Sequence, residues 1–185
     1  VRVFRKPERG RRYAAGMDCA EGLSTSDDSA TTIIDADTGE EVANLVGKFT
    51  PAVHAAYTAR LSTWYRKATI MPESNNHGHA AILWFNDNGY RSRVAKGHNN
   101  KRGWTSSTLG KVLMYDDLAQ AAKDGEITIH DFETMLQIKS IEKGTLRAPP
   151  GDLDDRADSY ALALQAAKSR VMSGNITVLS EGKRR

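Results

Sequence analysis

The feature that most limits what this chain can fold into is a change of period at Thr50-Pro51. Before it, three short β-prone runs follow one another closely: Arg12 to Asp18 (RYAAGMD), Ala30 to Ile34 (ATTII) and Glu41 to Phe49 (EVANLVGKF). Asp35, Asp37 and Gly39 mark a turn between the last two, and connections this short suit antiparallel neighbours. After it, a capping threonine precedes a proline at the first helical position. Val53, Tyr57, Leu61, Trp64 and Tyr65 then recur every three or four residues, the period of an amphipathic helix. The stripe Val53, Tyr57, Leu61 and Trp64 is expected to be core.

A short apolar run from Ala68 to Met71, closed by Pro72 and Glu73, reads as a buried strand with an acid just past its end. A second helix is expected from His79 to Asn88, burying Ala80, Ile82, Leu83 and Phe85, then a strand from Tyr90 to Ala95 and the basic, glycine-rich connection GHNNKRGW. A longer helix spans Ser107 to Lys123 and stops at Gly125. Ile127 to Ile129 is too short to assign, and Asp131 to Ile141 reads as helical in its first half and extended later. Thr145 to Gly151, with Pro149-Pro150, is loop, and Asp154 to Ser169 is the clearest helix. NITVL, at 175–179, is compatible with a strand and the final EGKRR with disorder. The result is an α/β chain: a mixed sheet of five or more strands, the first three antiparallel and the rest parallel, with helices on both faces. Residues 1–174 read as one domain and 175–185 as a tail, since 185 residues is about the size a single core supports.

Hydrophobic residues at 39% and charged residues at 26% suit a packed chain rather than a disordered one. No run approaches the ~20 apolar residues of a membrane helix, and the opening VRVFRKPERGRR lacks the apolar middle of a secretory signal. Cys19 stands alone, so neither an internal disulfide nor a cysteine metal cluster is expected, and a cytosolic setting fits. Net charge is only +3, but it is segregated. Residues 1–12 hold Arg2, Arg5, Lys6, Arg9, Arg11 and Arg12 against Glu8, and residues 91–115 hold six cations and no acid. Such segments either build a field that attracts phosphate or are merely solvated loops. No GxxxxGK[ST] phosphate loop is present, so an ATPase engine is not expected in this sequence.

Three acidic positions stand out for where the pattern puts them. Asp18 ends the first strand, Glu73 follows the strand after the crossover, and Asp154, Asp155 and Asp158 open the last long helix. A strand, a crossover helix and a returning strand lie parallel and end on one edge, which makes Asp18 and Glu73 neighbours. On the helix, spacings of three and four put at least two carboxylates on one face, and Ala157, Ala161 and Leu164 are expected to dock it on the sheet. Crowded carboxylates repel, and a hard divalent cation with oxygen ligands relieves them. Two such ions ~4 Å apart serve phosphodiester hydrolysis. The bland alternatives are helix capping for Asp154 and Asp155 and a turn for Asp18, with Asp27 and Asp28 as further solvated acids.

The motifs resemble those of the nuclease domain of viral, phage-type terminase large subunits. GMDCAEGLSTSDDSATTI resembles that family's Gly-x-Asp-x-Ala-x-Gly opening strand, and MPESNNHGHAAI its Glu-x-Asn-Asn-His-Gly segment. GWTSSTLGKVLM resembles its Gly-Trp-x-Thr segment before a lysine-containing helix, and PGDLDDRADSYALALQAA its closing Asp-Asp helix. The likeness runs over roughly residues 3–168 in family order. It implies an RNase H-like fold (the ribonuclease H, resolvase and integrase type) and an endonuclease that cuts concatemeric double-stranded viral DNA during packaging. It implies two Mg²⁺ or Mn²⁺ ions held by Asp18, Glu73 and the helix acids, in the order of preference Asp155, Asp158, Asp154. It further implies a separate ATPase domain, a portal protein and a small terminase subunit as partners, and the host cytoplasm as the place of action.

Beside these, Lys96, His98, Lys101 and Arg102 form the best candidate DNA-contacting loop, with Trp104 a core anchor. His77 either orients a water or phosphate or caps the next helix. Asn75 and Asn76 are read as bonding to backbone or to Asp18. Lys111 either approaches the acids or, as the safer reading, is a surface lysine. Two rival functions use the same residues: a Holliday-junction resolvase or transposase-like nuclease of the same fold, distinguished by substrate, and a non-catalytic DNA-binding module, distinguished by indifference to metal.

Overall fold

A computed structural model describes residues 1–23, 27–75 and 77–173, with side chains as far as residue 169. The segment 175–179, the C-terminal tail and Asn76 lie outside the described residues. The meander forms as β2 (Tyr13–Asp18), β3 (Ser29–Asp35) and β4 (Glu41–Gly47), paired antiparallel in sequence order. At one edge the two-residue strand β1 (Arg2–Val3) pairs antiparallel with β4. Helix α1 (Pro51–Trp64) returns the chain, and β5 (Thr69–Pro72) pairs parallel with β2. The order across the sheet is β1-β4-β3-β2-β5. The mixed sheet with an antiparallel first meander is as expected, except that β1, outside the meander, is antiparallel too.

Helices cover both faces. On one, α1 and α2 (Gly78–Asp87) close a core over Tyr13, Ala15, Met17, Ile33 and Ile70. On the other, α3 (Thr108–Lys123) and α5 (Asp155–Ser173) pack over Ala14, Ile34 and Met71, with α4 (Phe132–Ser140) against α5. The alternation of β2 thus feeds two cores, which is why its residues are buried throughout. Ala157, Ala161 and Leu164 are buried as expected, but α5 meets β2 chiefly through Ser159 and Ala163. A Cβ on Gly16 would lie 2.0 Å from the Ser159 carbonyl oxygen and 2.3 Å from the Ala163 amide nitrogen, so only glycine allows the backbones this close.

Several expectations fail, each for a visible reason. The α1 stripe is not core: Val53, Tyr57 and Trp64 are 43%, 43% and 46% exposed, and Leu61 is only half-buried. The buried face is His54, Ala55, Thr58, Ala59 and Ser62, because small side chains let α1 lie close to the sheet while His54 and Thr58 both bond to Thr31 of β3. Tyr65, just past the helix, is the buried anchor, donating its hydroxyl hydrogen to the Arg5 carbonyl at 2.6 Å. In α2 the buried residues are Gly78, Ala81 and Phe85, while Ala80 and Leu83 are exposed and Ile82 half-buried, since the helix also packs sideways on α1.

The expected strand at Tyr90 to Ala95 is a 3₁₀ turn at Arg91–Arg93 after Gly89, whose φ is +80°. Only a single parallel bridge, Val94 to Ile70, remains of it. The segment 132–140 is helical throughout, started by Asp131, whose side chain accepts from the Thr134 amide; no extended half forms. Thr128, in the run left unassigned, makes one parallel bridge with Glu40. The N-terminal basic run is not an open field: Arg2 pairs with Asp131, Arg5 with Glu40, Arg11 with Asp35 and Arg12 with Asp37.

Candidate active site

Because β2 and β5 are parallel and in register, their carboxyl ends stop side by side, and the Glu73 amide donates to the Met17 carbonyl at 2.8 Å. Asp18 and Glu73 therefore leave the sheet as neighbours. The Gly16 contact brings the first turn of α5 onto the same edge. An open cavity of about 400 Å³ results, lined by Asp18, Glu73, Asp154, Asp155 and Asp158 together with Glu21, Asp27, Asn75 and His77. All five candidate acids from three separate segments meet there.

Burial and mutual repulsion dominate its electrostatics. Asp18 is pushed well above the ordinary carboxylate range by burial, by the charges of Glu73 and Asp158, and by its hydrogen bond to Glu73. Asp155 is raised to about 7, first by burial and then by Asp27 and Asp154. Its Oδ2 atom is buried and has no hydrogen-bond partner among the described residues. Asp158 is raised by burial, offset by Lys111 and Tyr115. Asp154 serves partly as a brace, accepting from the Ala148 amide at 3.4 Å.

Lys111 is not a surface lysine. Its Nζ lies 3.0 Å from Asp158 Oδ2 and 3.9 Å from Asp154 Oδ2, with the side chain 15% exposed. Burial works against its ammonium, but Asp158 and Asp154 outweigh it and raise its pKa. The Tyr115 hydroxyl donates to the other oxygen of Asp158, Oδ1. Tyr115 was missed from the sequence, although it stands four residues after Lys111 on the same helix face, so placing one would have placed the other. Glu21 was also missed, and Asp27, read as a further solvated acid, lines the cavity as well; both lie in the connection between β2 and β3, where no periodicity marks them.

His77 lies at the cavity wall, its Nε2 3.3 Å from Glu21 Oε1, and its side chain makes no cap bond to α2. Asn75 donates to the Ser106 carbonyl at 3.3 Å and ties β5 to the start of α3. The basic loop is more constrained than its glycines suggested. Gly97 and Gly103 permit a tight ladder, with the Gly97 amide donating to Lys101 and the Gly103 amide to Ala95, both strands of which press together where a Cβ on Gly97 would clash. Lys96, His98 and Lys101 are exposed. Arg102 is half-buried, its guanidinium donating to the carbonyls of Arg91 at 2.6 Å and Val94 at 2.7 Å. Trp104 is buried against His98 and donates to the Gly110 carbonyl, a core anchor as expected.

With Asp18 bonded to Glu73 and Asp158 held by Lys111 and Tyr115, no three acid, histidine or cysteine side chains among the described residues converge as a ready-made chelate. The donor set nevertheless fits a hard divalent cation. Its acids offer carboxylate oxygens, with Asp18, Asp155 and Asp158 raised by burial and by neighbouring carboxylates, and one buried oxygen, Asp155 Oδ2, lacks a hydrogen-bond partner among the described residues.

No family model matches the chain, and no curated protein matches it in sequence. Solved structures do. The large terminase nuclease of thermophilic phage G20c, in its crystal structure with bound magnesium, superposes with a TM-score of 0.72 at 19% identity, covering 88% of this chain and 85% of that one. The large terminase nuclease domain of Thermus phage P74-26 gives a TM-score of 0.69 at 20% identity, over 87% and 82% of the two chains. The human cytomegalovirus terminase nuclease domain gives 0.51 at 14% identity, over 83% and 82%. The chain has the fold of the large terminase nuclease domains, the RNase H-like mixed sheet that its motifs implied.

Proposed function

We propose that this protein is a divalent-metal-dependent endonuclease that cuts double-stranded DNA, acting on concatemeric viral genomes as the nuclease part of a terminase. The observation that carries the reading is the meeting of Asp18, Glu73, Asp155 and Asp158 at one sheet edge, where Lys111 on Asp158 is the one cation paired with them among the described residues. A stable fold gains nothing from crowding carboxylates, whereas a site for cations and phosphate requires it. In this reading Asp18, Glu73 and Asp155 hold two Mg²⁺ or Mn²⁺ ions, with Asp158 and Asp154 behind them. Such ions supply Lewis acidity toward the phosphate and a more acidic water.

The chain's own residues do the rest. Lys111 and Tyr115 bind Asp158 from both oxygens and fix its direction. His77, at the cavity wall and 3.3 Å from Glu21, would orient a water or a phosphate oxygen in this reading. Nothing in the described cleft resembles a base-reading helix, so cutting should depend weakly on sequence. An ATPase domain, a portal protein and a small subunit complete the packaging assembly in this reading, which runs in the host cytoplasm.

The test is nicking and linearisation of supercoiled plasmid with Mn²⁺, Mg²⁺ or EDTA, beside Asp18→Asn and Glu73→Gln variants whose folding is verified by circular dichroism. Cutting that requires metal and disappears in both folded variants supports the reading. Plasmid left intact by the wild-type chain, with binding retained, removes the catalytic claim and leaves a DNA-binding module.

A further inference from the structure

A second groove of about 200 Å³ lies beside the acidic cleft: Lys111, which lines the groove, reaches to 3.0 Å from Asp158 and 3.9 Å from Asp154, both of which line the cleft. Its lining is chemically opposite. Ser106, Ser107 and Thr108 supply hydroxyls on one side, Lys143 and Arg147 supply cations on the other, and no carboxylate lines it. Lys143 and Arg147 are exposed and make no ion pair among the described residues, unlike Arg2, Arg5, Arg11 and Arg12.

The turn carrying these two cations is fixed in place. The Glu142 amide donates to the Arg147 carbonyl at 2.9 Å and the Leu146 amide to the Glu142 carbonyl at 2.8 Å. Leu146 takes a left-handed φ of +53°, costly for a branched side chain, while that side chain packs against the main core. Two residues on, Ala148 donates its amide to Asp154 at 3.4 Å, which ties the turn to a residue lining the acidic cleft. The backbone that bears these two cations, which make no ion pair among the described residues, is thus fixed beside a residue lining the acidic cleft.

We propose that this groove takes a backbone phosphate of the DNA next to the bond being cut, so that the strand passes from the turn carrying Lys143 and Arg147, over Lys111, to the acids. The proposal rests on the nuclease reading and adds the path of the substrate. Cations neutralise phosphates and release their counterions, and hydroxyls position the phosphate oxygens without reading sequence. It also shifts the expected grip away from Arg102, whose guanidinium already serves the loop's own carbonyls.

The experiment is equilibrium binding of a fluorescent 30-base-pair duplex to the full chain in EDTA over 20 to 200 mM salt, where cutting plays no part. The wild-type chain is compared with K143A/R147A and the charge-reversed K143E/R147E, each verified by its melting curve. Loss of two phosphate contacts should weaken binding about tenfold or more near 100 mM salt and lower the slope of log K against log salt by about 2. Charge reversal should weaken it further. Wild-type affinity and slope in the folded double variants, or no duplex binding by the wild-type chain at 20 mM salt, would overturn the groove. Failure of the nuclease reading shows separately, as wild-type protein that binds DNA in EDTA but never cuts with metal.

Discussion

Two carboxylate clusters among the described residues are built on opposite principles. Around Asp131 every charge is answered: Arg2 and Arg156 bind its two oxygens at 2.5 and 2.6 Å, and the Thr134 hydroxyl adds a bond at 3.1 Å. Neighbouring Glu41 accepts from the His130 and Asp131 amides and from Asn44. Around Asp18, carboxylates face carboxylates, and among the described residues one oxygen of Asp155 has no hydrogen-bond partner and only Lys111 is ion-paired with the helix acids. The first cluster ties β4, α4, α5 and the N-terminal strand together. The second is held apart by the sheet and helices against its own repulsion, which is the signature of a site rather than of a scaffold.

Substitutions should separate the two. Asp18→Asn should reduce metal-dependent cutting by about 10³-fold or more, since a metal's transition-state stabilisation is worth several kcal/mol, while leaving the melting temperature unchanged or raised. Plasmid cleavage and a melting curve on the same preparation check both halves. Asp131→Ala should act in reverse, costing about 2–3 kcal/mol by leaving the largely buried Arg156 without its partner and α4 without its cap, with the exposed Arg2 adding little. Urea denaturation measures it, and cutting per folded molecule should persist. If Asp131→Ala is neutral in stability, the contrast between the clusters collapses.

Acidity sharpens the comparison. A carboxylate whose folded pKa is raised binds protons that the unfolded chain has lost, so its contribution is favourable below the unfolded value near 4 and is lost as pH rises through the folded one. For Asp155 that window runs from about 4 to about 7. Added Mn²⁺ competes with those protons, so its stabilisation should grow over the same range. We expect saturating Mn²⁺ to raise the melting temperature by about 5 °C or more at pH 8 and by much less at pH 5. Asp155→Asn should flatten the difference.

The smallest effect belongs to His54, which burial holds near a pKa of about 3. It is neutral in the folded state, so its contribution is intact above the unfolded value near 6.5 and falls away as pH drops toward 3. His54→Gln should make the metal-free domain less sensitive to acid between pH 6 and 4, read as a shallower fall in melting temperature.

What the sequence revealed followed from periods and ends. The acids were legible because strand ends and a helix start are marked locally, and parallel pairing then brings Asp18 beside Glu73. The orientation of α1 was not legible. Its large apolar residues form a clean stripe, yet close packing on the sheet selected Ala55 and Ala59, and a hydrogen bond to Thr31 selected His54. Lys111 stayed between two readings and Tyr115 was missed for a related reason: their importance lies in which way α3 rolls on α5, a property of the contact and not of either segment. The arginines near the N-terminus misled because their partners Asp131, Asp35 and Asp37 are distant or on the far side of a turn.

The missing side chain at Gly16 works as a machinist's stop. Strand β2 carries Asp18 two residues beyond it, and α5 carries Asp155 and Asp158 just before the two residues that rest on it. The gap between acids on different segments is therefore gauged by bare backbone against bare backbone, where the tolerance is a fraction of an atomic radius. Rotamers elsewhere can change, and loops can lengthen, without altering that gauge.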